Sequence, residues 1–93
     1  MDKLILINKI NQNIHLLEKE GIRDCKVYLS LENNKVKVNL FCDRNGMELS
    51  KFAKLEEAFR KVIGYRLVEL VDESVIPLRL MSLMNNDMIA LSY

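Results

Sequence analysis

The sequence predicts an α+β domain with the element order α-β-β-α-β-α-β, a small mixed sheet with helices packed on it. Three observations lead there. Apolar residues recur at helical spacing over 2–19 and 48–63, alternation runs through two adjacent stretches over 22–42, and Gly, Asn or Pro punctuates the joins. A chain of 93 residues is one domain, 1–93, with room for a single core.

Ile7, Ile10, Ile14 and Leu17 share one face of the first helix, which Asp2 can cap and Gly21 can end. Cys25, Val27, Leu29 and Leu31 form the inward side of a strand over 22–32. Asn33-Asn34 follows, and asparagine tolerates the positive φ of a tight hairpin turn. The second strand, 35–42, sends Val36, Val38 and Leu40 one way and Lys35, Lys37 and Asn39 the other.

After the loop Asp43-Arg44-Asn45-Gly46, the helix over 48–63 carries Leu49, Phe52, Leu55 or Glu56, Phe59 and Val62 on its buried side, and Gly64 stops it. Glu56, Glu57, Arg60 and Lys61 read as a solvated face with i,i+4 pairs. Tyr65 to Val71 is a third strand and Asp72-Glu73-Ser74 a turn. Pro77 opens a short helix reaching about Asn85, and Met88 to Tyr93 is a last short strand.

Fourteen basic and 13 acidic side chains leave a net charge of +1, and the bases are scattered. Counterion-release binding needs a basic stripe, so no nucleic-acid partner is expected. Leu4-Ile5-Leu6-Ile7 is too short for a leader or a membrane span. The expected compartment is the cytoplasm. Cys25 and Cys42 lack a CxxC frame and read as reduced thiols, with a cross-strand disulfide as the lesser reading. His15 is the only histidine and has no ligand partner at metal spacing. No phosphate loop, nucleophile elbow or metal motif occurs, so no catalytic, cofactor or metal residue is assigned and no cofactor is expected.

From the second strand onward the chain resembles the minimal nucleotidyltransferases. The resemblance spans residues 36–93. It rests on Val36 to Phe41, on Glu48-Leu49-Ser50-Lys51-Phe52-Ala53-Lys54-Leu55-Glu56-Glu57, on Gly64 to Asp72, and on Ile76-Pro77-Leu78-Arg79-Leu80. It implies a strand with two metal-binding carboxylates, a glycine-serine turn gripping triphosphate, and a third carboxylate on a later strand. Here Lys37 and Asn39 occupy the first two positions and Glu69 the third, and the hairpin Glu32 to Lys35 holds no glycine. Two magnesium ions need clustered carboxylates, so the resemblance implies a degenerate site of Lys37, Asn39 and Glu69 that is catalytically inert. Lys37 and Glu69 then pair across the sheet.

The C-terminal helix is apolar on nearly every side, with only Arg79 and Ser82 polar over 78–84. Leu80, Met81, Leu83, Met84 and Met88 are therefore the candidate partner surface. Methionines of that kind fill gaps or present an adaptable face. The expected function is a non-enzymatic interaction module that binds a partner protein or forms a homodimer. Domains of the resembling family often pair with a small helical toxin, which implies an antitoxin-like role; a mobile-element inhibitor is another version. The competing expectation is a small nucleotide-binding protein or transferase whose Asn39, Asp43, Glu69 and Asp72 gather at one end of the sheet.

Overall fold

A computed structural model describes residues 2–84 and 89–90 of the chain. The order is α1 (Lys3–Asn13), α2 (His15–Glu18), β1 (Arg23–Glu32), β2 (Lys35–Asp43), α3 (Leu49–Ile63), β3 (Val68–Asp72), a 3-10 turn (Glu73–Val75), α4 (Leu78–Met84) and β4 (Ile89–Ala90). The expected α+β class and element order are borne out.

The expected first helix is broken at Ile14 into α1 and α2. One residue earlier, the Asn13 side chain donates to Lys9 O at 2.8 Å. A side chain that takes an i−4 carbonyl competes with the helical ladder and bends it. Asp2 caps α1 by accepting from Leu4 N at 2.7 Å.

β1 and β2 form the expected hairpin. Asn33 and Asn34 both hold positive φ, 51° and 64°, the conformation whose twist suits a two-residue turn. The sheet order is β3-β2-β1-β4. β2 runs antiparallel to β1 and parallel to β3, and β4 pairs antiparallel with Lys26 and Val27. The parallel step needs a crossover, and α3 supplies it.

The register sorts side chains onto two faces. Val27, Val38, Leu40, Cys42, Val68 and Leu70 enter one core with Leu6, Ile10, Leu17, Phe59 and Ile63 from the helices. Phe41 and Met81 are buried too, but outside that core. Phe41 belongs to the opposite face, where it meets the Tyr28 ring edge-on at 6.3 Å between centroids, and the 3-10 turn packs against β2.

Some expectations shift. The inward stripe of α3 is Phe52, Phe59 and Ile63, while Leu49 and Val62 face solvent. Leu31, next to the hairpin tip, is exposed. The third strand starts at Val68, not Tyr65. Gly64 ends α3 in the left-handed region at φ 74°, and the Tyr65 hydroxyl turns back to donate to Val36 O. Of the expected last strand, only Ile89–Ala90 falls within the described residues.

Position on the face decides the cost of truncation. Leu40→Ala, at a fully buried site on the central strand, is expected to lower stability by about 2–5 kcal/mol. Leu31→Ala is expected to change it by less than about 0.5 kcal/mol. Urea unfolding of the two variants checks this; equal losses would show that the hairpin tip is as packed as its base.

Candidate functional site

Alternation along β2 turns Lys37 and Asn39 away from the helical core, and alternation along β3 does the same for Glu69. The parallel register sets Asn39 beside Glu69. Lys37 Nζ lies 2.8 Å from a Glu69 carboxylate oxygen. Thus the three positions singled out in the sequence come together on neighbouring strands, and Lys37 and Glu69 form the expected pair.

The hydrogen bond from Lys37 to Glu69, and then the charge of that carboxylate, raise the Lys37 ammonium above its ordinary value; partial burial opposes them. Asn39 is also occupied. Its Nδ2 donates to Tyr28 O at 3.1 Å and to Ser30 Oγ at 3.0 Å. Both bonds tie β2 to β1.

A shallow cleft of about 250 Å³ adjoins the pair, lined by Glu32, Lys37, Glu56, Arg60, Arg66 and Glu69 among others. Acids and bases balance there, so the cleft offers a polyanion no strong field.

Asp43 and Asp72 do not join Glu69. Residues 69 and 72 differ in parity, so they leave β3 on opposite faces, and Asp72 is buried where Glu69 is half-exposed. Asp43 accepts Asn45 N at 2.8 Å, closing its own loop. Among the described residues, no three His, Cys, Asp or Glu side chains gather as a metal site.

Asp72 instead receives Arg44 Nε at 2.8 Å and Ser74 N at 3.1 Å. Arg44 also donates to Met47 O, so one guanidinium ties the β2–α3 loop to the end of β3. Burial alone would raise the Asp72 carboxyl; the bonds from Arg44 and Ser74 outweigh it and hold the group below its ordinary range.

Cys25 and Cys42 are both buried free thiols. The Cys42 thiol donates to Val71 O at 3.6 Å. Interaction with Cys25 and then burial push it well above an ordinary thiol, so it is a poor nucleophile. His15 opens α2 on the exposed side.

One role of α3 was not legible as such. Glu56, Glu57 and Arg60 do pair, with Arg60 contacts of 3.2 and 2.9 Å. Glu56 also accepts Leu70 N at 2.9 Å, and Arg60 Nε donates to Val68 O at 3.1 Å. These are backbone groups on the outer edge of β3, so the two side chains stand where another strand would add. The available signal was Glu56 itself, a carboxylate sharing the inward side of the helix with Leu55.

On the candidate partner surface, Leu80 and Leu83 are exposed as expected, joined by Leu78 and Val75. Met81 corrects the expectation: at 8% exposure it is an interior side chain. α4 has an inside, and Met81 marks it. Met88 lies outside the described residues, and of Met84 only the backbone at the end of α4 is described. No helix among the described residues is long and apolar enough to cross a membrane.

Comparison with known proteins finds no matching family model, no similar curated protein and no similar solved structure.

Two predictions follow from these ion pairs. A double-mutant cycle of Lys37→Met and Glu69→Gln should return a coupling of about 0.2–1 kcal/mol that shrinks with salt, and a zero coupling would mean the pair is incidental. A depressed Asp72 stabilises the fold fully above the unfolded carboxyl value of about 3.9, and that stability drains as pH falls through the folded value. Asp72→Asn should therefore flatten the acid limb of a stability–pH curve measured by urea unfolding between about pH 2 and 6. An unchanged limb would place the titrating group elsewhere.

Proposed function

We propose that this chain is a protein-interaction module without catalytic activity, on a scaffold resembling that of the minimal nucleotidyltransferases. The observation that carries the reading is the surface of α4 and the turn before it. Val75, Leu78 and Leu83 are 70%, 86% and 69% exposed, while Met81 anchors the same helix inward. Leucine at that exposure on consecutive turns is the composition of a contact that is buried on binding. Burial stabilises each such side chain by about 1.5–3 kcal/mol.

The ion pair on β2 and β3 supports the non-enzymatic half. Where the resembling enzymes hold metal, Lys37 places a cation and engages Glu69. The reading with Asn39, Asp43, Glu69 and Asp72 as a nucleotide site has less support, since Glu69 and Asp72 leave β3 on opposite faces. An antitoxin-like or inhibitor role is the form of this function that the resemblance suggests. The two free thiols fit the reducing cytoplasm.

Size-exclusion chromatography with light scattering tests the proposal. The purified chain is expected as a dimer or with a copurifying protein, and Leu78→Ser with Leu83→Ser is expected to release a folded monomer. A wild-type chain that is monomeric and unaccompanied at every concentration removes the proposal. Heat released on titrating ATP and magnesium would favour the nucleotide-binding reading instead.

A further inference from the structure

A second surface lies between α2 and α3. Leu17 and Phe59, both buried, form the floor of a groove there, and Leu16, Leu55, Ala58 and Val62 form its walls. Its volume is about 260 Å³, below the roughly 300–1,000 Å³ of clefts built for small molecules. From Leu55 to Val62 it follows two turns of α3, about 10 Å at 1.5 Å per residue. That is the reach of apolar anchors at i, i+3 or i+4, and i+7 on a docked helix.

The charges around the groove are segregated. On α3, Lys54 and Lys61 fall four residues before and three after Ala58, so they border the groove in one stripe. Lys19 lies on its α2 side. All three are exposed, and none has an ion-pair partner among the described residues. Lys51 closes one end by meeting Glu20 at 3.7 Å. The acids of α3 point elsewhere: Glu56 and Glu57 are taken by Arg60 on the flank facing β3. The one rim carboxylate, Glu20, is already paired.

We propose that this groove docks an amphipathic helix of a partner protein whose flanks are acidic. An apolar floor inside a lysine rim asks for leucine-like anchors bordered by Glu or Asp. A second copy of the chain is the poorer occupant. A twofold contact sets the same patch against itself, which would bring the rim lysines together. Nucleic acid is poorer still, because the one aromatic ring in the groove, Phe59, is buried at its floor and the walls are aliphatic. The site is separate from α4, so its failure leaves the α4 proposal standing, and the reverse also holds.

The test uses the full chain and two synthetic peptides. Both carry leucine at i, i+3, i+4 and i+7; one has glutamate on the flanks and the other lysine. Fluorescence anisotropy measures binding, and amide chemical shifts locate it. The acidic peptide is expected to bind, to shift amides around Leu55, Ala58 and Val62, and to weaken as salt rises. Lys54→Glu with Lys61→Glu, both at exposed positions, should weaken it by about tenfold or more and favour the lysine peptide. Circular dichroism confirms that the variant folds. The proposal is overturned if neither peptide binds at millimolar concentration, if both bind equally, if the shifts fall on α4, or if the groove proves to be covered in a dimer of this chain.

Discussion

The central strand β2 carries a constraint that the rest of the molecule obeys. It hydrogen-bonds to β1 on one side and β3 on the other, and its side chains must serve two unlike faces in strict alternation. Val38, Leu40 and Cys42 go under the helices; Lys37, Asn39 and Phe41 go to the far face. A slip of one residue would put a lysine and an asparagine into a dry core. The pairing is locked from both sides. Asn39 is bound to β1 through Tyr28 O and Ser30 Oγ, and Lys37 to β3 through Glu69. The polar face is thus a brace for the sheet.

The helix that joins β2 to β3 does two jobs beyond covering the core. Glu56 and Arg60 engage the outer backbone of β3, and edge strands left bare invite another strand. Beyond that blunted edge, the helices carry exposed apolar surfaces of their own. Two stand out, and they differ in kind. α4 presents leucine and valine with little charge. The α2–α3 groove presents a small apolar floor flanked by Lys19, Lys54 and Lys61.

The burial of polar groups follows the same economy. Asp72 is a buried carboxylate, tolerated because Arg44 and the Ser74 amide both reach it. That arrangement stitches the loop after β2 to the end of β3, so the C-terminal ends of the two parallel strands are held together by charge as well as by packing. The thiols at Cys25 and Cys42 sit on the inner face as small apolar groups.

Much of this was legible in the residues. Alternation located the hairpin strands, Asn33-Asn34 marked their turn, and Gly21 and Gly64 marked helix ends, because each reports a local backbone preference. The ion pair was expected only through the resemblance, since parity along each strand does not say which strands are neighbours. The break at Ile14 was not legible, because the apolar face of Ile10, Ile14 and Leu17 runs through it without interruption. Nor was the true inward stripe of α3: apolar residues outnumber the places beneath the helix, and only the docked sheet chooses Ile63 over Val62. The same reason divides α4. Periodicity shows it apolar all round, but which methionine goes inside is settled by what it packs against. By itself the sequence determined the elements, their order and the two faces of the sheet, because those follow from local geometry. The tertiary structure decided which carboxylates meet, which stay apart and which apolar side chains remain outside, because those outcomes depend on groups far apart along the chain.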